Sequence, residues 1–281
     1  MSQRMATALK GFINLALLPM SRRQSQKTKA YIAIDLMRQG AREVVTPKGV
    51  LKFHALRGSG VASAVETFHT DEPETREWID TYIKPGEILW DIGASIGLYS
   101  LYAALNENIK VFSFEPSALN FSLLVEHVAL NRMGNRVTPL CIALAGDTRL
   151  DVLHMSLYDT GTAGNALGVP KTVCKTFEPV FSQGVLAFAG DDLREVFKLP
   201  QPQHIKLDVD SIEADILRGL QRTLPYVHSV IIEVIGSNAE DSARIEQSFA
   251  AAGLEEDISV RTKGSQRSRL YLNRKMLSGK K

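Results

Sequence analysis

The 281-residue chain has only two cysteines, Cys141 and Cys174, so no disulfide framework braces it, and neither has metal-ligand spacing. Cys141 falls in a strongly apolar stretch, and a reducing cytoplasm is the simpler compartment for it. There is no zinc-spaced set of Cys and His. Repeats and low-complexity segments are missing too, and 44% hydrophobic residues exclude disorder throughout. No long hydrophobic run is present. The apolar patch in MSQRMATALKGFINLALLPM ends at Pro19 after about eight residues, too short to span a bilayer, and no small-x-small cleavage site follows. An amphipathic helix over residues 6–18 is expected there, capping the domain or resting on a membrane surface.

Net charge is only +2, yet acidic residues are nearly missing from both ends. Residues 1–52 hold 10 Lys/Arg against 2 Asp/Glu and residues 261–281 hold 8 against 0, leaving 15 against 29 between them. Such basic ends suit an anionic membrane or polyanion, or form a solvated charged face. No Lys/Arg stretch is interleaved with aromatics, so no nucleic-acid partner is expected.

From residue 74 onward apolar runs alternate with helical patterns, which predicts a parallel sheet with helices on both faces. Helices are expected at 74–84, 96–106, 118–131, 191–197, 211–220 and 239–252, and strands at 87–92, 110–115, 137–145, 204–209 and 229–235. A hairpin strand at 149–155 precedes a Gly/Thr-rich loop, and a short segment follows at 185–189. Residues 255–261 and 269–273 suit an antiparallel pair at the sheet edge, and 44–68 a small β element with turns at Pro47-Lys48-Gly49 and Arg57-Gly58-Ser59-Gly60.

The most informative stretch is EILWDIGASIGLYS, in which an apolar strand runs into Asp91, Gly93 and Gly97 and then an apolar helix. Gly93 permits a sharp turn, and Gly97 lets a ligand or strand approach the first helical turn. The next strand ends in Glu115, placed to accept hydrogen bonds from ribose hydroxyls. A pyrophosphate needs G-x-G-x-x-G. Here the loop reads D-x-G-x-x-x-G, and a carboxylate at its mouth would repel phosphate and suit a cationic ligand. The common nucleoside cofactor of that kind is S-adenosylmethionine (SAM). The loop alone also fits an ordinary strand-to-helix turn; Glu115 weighs against that reading.

A second constellation, HIKLDVDSIEAD, places Asp208, Asp210, Glu213 and Asp215 where a strand gives way to a helix. Asp208 and Asp210, two apart on a strand, would share a face and need a cation: Lys206, a sulfonium, a divalent metal or a shared proton. Asp210 and Glu213 also fit a helix capping box. Asp208, and Glu233 in SVIIEVI, interrupt apolar strands without that excuse. Among the histidines, His127, His204 and His228 read as structural, while His54, His69 and His154 lie in segments that would overhang the cleft and are candidate bases.

The set DIGASIGLYS, FEPSALNFSLLVEHVALN and IKLDVDSIEADILRG, followed by VIIEV, resembles the FkbM-type SAM-dependent methyltransferases over about residues 72–275, including RLYLNRK. Asp91, Gly93, Gly97, Glu115, Asn120, Lys206, Asp208, Glu213 and Glu233 match their pattern. Asp210 stands where Glu is usual and Ser211 where Gly is usual. The resemblance implies an α/β fold: a doubly wound, mostly parallel, seven-stranded Rossmann-like sheet over 71–277, with a basic helical and small β extension over 1–70.

It also implies O-methylation of a hydroxyl on a small-molecule or glycan acceptor. SAM would sit on Asp91, Gly93, Ala94, Gly97, Glu115, Pro116 and Ser117. Asp208, assisted by Lys206 and Glu233, would orient and deprotonate the hydroxyl. A divalent metal held by Asp208, Glu233 and Asp210 is the less favoured version. An NAD-dependent oxidoreductase shares the sheet and Glu115 but lacks the pyrophosphate loop, and a catalytically silent SAM-fold binding module would keep the fold without turnover. A lid is expected at 158–181, with Tyr158, Phe177 and Phe181 around a Gly/Thr-rich turn.

Overall fold

The computed structural model describes residues 2–172, 176–234, 239–262 and 264–278, without the side chains of 2–6 and 37–39. Cys174 lies outside them, as does the end of the expected strand at 229–235. The chain divides into two compact units, Met1–Ala41 and Arg42–Lys281.

The first unit is a pair of helices, α1 (Ser2–Ala16) and α2 (Arg22–Gln39). The second helix, unforeseen in the sequence, starts with a capping box: Ser21 Oγ accepts from the Gln24 amide, and the Gln24 side chain accepts from the Ser21 amide. Among the described residues no helix is long and apolar enough to cross a membrane.

The second unit begins with a hairpin, β1 (Arg42–Thr46) and β2 (Gly49–Phe53), whose Val44, Leu51 and Phe53 turn inward together. Helices α3 (Ser59–Thr67) and α4 (Pro73–Tyr82) follow; proline at the first position of α4 suits a helix start. The main sheet then winds through β3 (Ile88–Ile92), α5 (Leu98–Ala104), β4 (Lys110–Phe114), α6 (Ala118–Leu130) and β5 (Val137–Leu140).

The expected strand at 137–145 is split. The chain leaves the main sheet after Leu140, and Ala143–Ala145 (β6) enters a second sheet with β7 (Arg149–Met155), β8 (Asn165–Leu167) and β9 (Phe181–Ala189). The main sheet resumes through α7 (Gly190–Phe197), β10 (His204–Leu207), α8 (Glu213–Arg218), β11 (Ser229–Glu233) and α9 (Ala239–Ala251). It closes with β12 (Glu255–Asp257), β13 (Ser268–Leu272) and α10 (Arg274–Ser278).

The seven main strands lie in the order β12-β13-β11-β10-β3-β4-β5, with five parallel strands and the expected antiparallel pair at the edge. From β3 the chain winds outward through β4 and β5, then returns to set β10 on the other side of β3. That reversal opens a crevice between the carboxyl ends of β3 and β10, where open α/β sheets bind ligands.

Strand periodicity sorts the core. Trp90, Ile92, Ile205 and Leu207 pack into one apolar layer, and Leu89 into the layer on the opposite face. Asp91 and Lys206, register partners on β3 and β10, therefore share the face that holds Leu89. Two charged residues sit side by side inside the sheet.

Candidate active site

The crevice encloses about 340 Å³ between the ends of β3, β4, β10 and β11 and the second sheet. Gly93 (φ +83°) and Gly97 (φ +88°) are both left-handed, which glycine alone adopts without strain. A Cβ on Gly93 would overlap the Asp208 carbonyl oxygen, so glycine lets the loops after β3 and β10 touch. At Gly97 the close neighbour is Leu124 of α6, not a ligand.

The loop amides are already occupied. Gly93 and Ala94 both donate to Phe114 O at 3.0 Å, Ser95 donates to Glu115 Oε2 at 2.8 Å, and Gly97 to Ala94 O at 2.8 Å. Those four donors are turned away from any pyrophosphate.

Asp91, expected at the loop mouth, lies beneath it and is only 1% exposed. Its Oδ2 accepts from Ser100 Oγ at 2.5 Å, while Oδ1 is buried with no hydrogen-bond partner. Burial raises its carboxyl above the usual range, against the pull of Lys206. The carboxylate that lines the crevice beside the loop is Glu115 instead. Its Oε1 accepts from the Ser117 amide at 2.8 Å, and burial pushes it up to about 7 against the hydrogen bonds from Ser117 and Ser95. Pro116 lines the crevice, and Ser117 Oγ accepts from the Asn120 amide at the start of α6.

On the other side, Lys206 Nζ donates to Asp208 Oδ2 at 2.6 Å and lies 5.2 Å from the Tyr99 ring centroid. Burial opposes its charge, but Asp208, Asp91 and Glu72 together hold the ammonium protonated. Burial likewise disfavours the Asp208 charge; Lys206 and a hydrogen bond from Glu233 overcome it and hold Asp208 below the ordinary range. Burial and the neighbouring Asp208 charge keep a proton on Glu233, whose Oε1 lies 3.4 Å from Arg267 Nε.

The expected pairing of Asp208 with Asp210 does not form. Strand β10 stops at Leu207, and Asp210 takes a left-handed turn (φ +69°) that sends its carboxylate to the Gly164 amide at 2.8 Å. The capping box is absent as well: Ile212 occupies the cap position of α8 and makes no side-chain cap bond. Asp210 instead ties the β10 loop to the segment before β8.

None of the three candidate bases lines the crevice. His54 stacks on His127, and His154 bonds Ser182 and Gly168. His127 is structural as expected: Nδ1–H donates to Ile96 O, Nε2 accepts from the His54 amide, and burial lowers it to about 4. His204 and His228 lie with Glu87 at the opposite sheet edge, where the ligating atoms of all three fall within 4.8 Å. There Ser229 Oγ accepts from Trp78 and bonds His204, which bonds Glu87, tying neighbouring strands together.

Asp71, Glu72 and Arg267 line the crevice unforeseen. Glu72 precedes α4 in a left-handed conformation (φ +43°), and burial raises its carboxyl. A non-glycine residue in that region just before a helix proline is a visible oddity of backbone, but sequence alone does not show it. From the expected lid, Thr162, Ala163, Asn165 and Leu167 reach the crevice, whereas Tyr158 and Phe181 pack on each other outside it. Asn120 braces this segment by accepting from the Gly161 amide at 2.8 Å.

No family model matches the chain. It is 29% identical over 148 residues to the hexuronic acid methyltransferase AglP of Haloferax volcanii, a match covering 53% of this chain and 56% of that protein. It is 29% identical over 117 residues to the 31-O-demethyl-FK506 methyltransferase FkbM of Streptomyces tacrolimicus, covering 41% of this chain and 42% of that one. Over these segments the chain is similar to two named methyltransferases. The matches thus span about half the length of these relatives. Among solved structures, Aeropyrum pernix fibrillarin with bound S-adenosyl-L-methionine overlaps at 11% identity and a TM-score of 0.41, over 83% of this chain and 81% of that one. The acidic-glycine loop and the Lys206–Asp208 segment meet here at one crevice.

Proposed function

We propose that this protein is a SAM-dependent methyltransferase that transfers a methyl group to a hydroxyl of a sugar or other biosynthetic intermediate in the cytoplasm. The observation that carries the reading is the contact of Gly93 with the Asp208 backbone, which joins the nucleoside loop to the Lys206–Asp208–Glu233 cluster. Glu115 would hold the ribose hydroxyls, with Gly93, Ser95 and Pro116 beside them and Ile142 and Leu144 offering an apolar wall to a purine. The sugar class accords with the acid named for AglP.

When bound, SAM supplies an electrophilic methyl group on a sulfonium. Asp208, ionised and held by Lys206, accepts a hydrogen bond from the acceptor hydroxyl and receives its proton as the oxygen attacks. Glu233 steadies Asp208 by donating its own proton. Orientation supplies much of the acceleration, because attacking oxygen and leaving sulfur must lie in line. An NAD reading is disfavoured by the four occupied loop amides.

Glu115 provides the test. Glu115→Ala should weaken SAM binding by about 1.5–3 kcal/mol, the usual loss of a charged hydrogen bond, without unfolding the protein. Ribose hydroxyls favour the ionised carboxylate, so wild-type affinity should rise with pH through about 7 and binding below that point should release a proton. Calorimetry across pH 6–8 should show this slope in the wild type and none in Glu115→Gln. Equal affinities for all three proteins would remove Glu115 from the site.

A further inference from the structure

The first unit carries an unpartnered apolar stripe. Leu9, Phe12 and Leu15 of α1 are 57%, 69% and 65% exposed, and their three-residue spacing puts them on one side of the helix. Leu18 and Met20 continue the exposed apolar surface just past its end. At 15 residues, α1 is about 22 Å long, short of the ~30 Å hydrocarbon core, so it suits the plane of an interface and not a crossing.

Charge narrows the partner. Residues 1–41 hold seven Lys/Arg against Asp35 alone, and Lys10, Arg22, Arg23, Lys27 and Lys29 are exposed. Arg22 and Arg23 stand in the first turn of α2, which has no acidic residue, so they oppose the helix dipole and gain nothing locally. A nucleic acid would meet the cations but leave the leucine and phenylalanine stripe in water. A second copy would cover the stripe but press like charges together.

We propose that this unit docks on an anionic membrane surface, with the Leu9, Phe12 and Leu15 side of α1 in the headgroup boundary and the cations of α2 against lipid phosphates. The two terms act jointly: apolar burial supplies depth, and the basic residues select anionic lipid. Surface anchoring would hold the catalytic unit beside acceptors presented at a membrane.

Sedimentation of the full-length protein with phosphatidylcholine vesicles, with or without phosphatidylglycerol, tests the proposal. Wild type should bind the anionic vesicles at least about tenfold more tightly than the neutral ones, and added salt should weaken binding. Phe12→Asp/Leu15→Asp and, separately, Lys27→Glu/Lys29→Glu should each reduce the anionic binding by a similar factor, with thermal unfolding of the catalytic unit unchanged. Wild type that ignores anionic vesicles, or binds both kinds equally, would overturn the proposal. So would anionic binding that survives Phe12→Asp/Leu15→Asp, which would leave a charge-only polyanion binder. A dimer that this variant dissociates, with no vesicle binding, would assign the stripe to a second copy.

Discussion

Asp208→Asn should cut turnover by about 10²–10⁴ while leaving SAM affinity nearly intact, because it removes the acceptor of the hydroxyl proton and not a cofactor contact. The shape of the site sharpens the comparison with Glu233. That carboxyl already holds a proton and donates it to Asp208, so Glu233→Gln keeps a donor in place and should be far milder near neutral pH. In the metal version both residues are oxygen ligands: the two substitutions would be equally damaging, and a chelator would abolish activity that Mg²⁺ restores. Single-turnover rates of the two variants, with and without chelator, separate these outcomes. Full activity of Asp208→Asn on its acceptor would defeat both versions.

Lys206→Met should destabilise the protein by about 3–5 kcal/mol, the typical cost of leaving buried charges without their partner. Lys206 is only 4% exposed and is the shared counter-charge of Asp208, Asp91 and Glu72. The sign of the pH dependence is fixed by Asp208. Its proton affinity is depressed in the folded wild type, so its contribution is present above the ordinary carboxylate range and lost as pH falls. In Lys206→Met that contribution is gone, and the remaining carboxylates take up protons readily. The stability gap between variant and wild type, measured by urea unfolding, should therefore narrow on acidification. A gap that stays constant with pH would mean that Lys206 acts through packing alone.

Strand periodicity and turn chemistry are local properties, and from them the sequence alone determined the doubly wound sheet, its antiparallel edge, the left-handed turn at Gly93 and the placement of Glu115 at a strand end. Its order of acidic and glycine residues also marked Asp208, Lys206 and Glu233, since charges inside apolar strands need a reason. What lay beyond it were contacts between segments far apart in the chain. Asp91 is beneath the loop because β3 presents it on the Lys206 face, a matter of register between strands more than a hundred residues apart. Asp210 turned to the Gly164 amide instead of sharing a strand face with Asp208, because β10 ended two residues earlier than its apolar pattern suggested. Glu72 and Arg267 reached the crevice from segments with no motif at all. Hydrophobic alternation specifies which face a residue takes; only tertiary packing decides which distant partner meets it there.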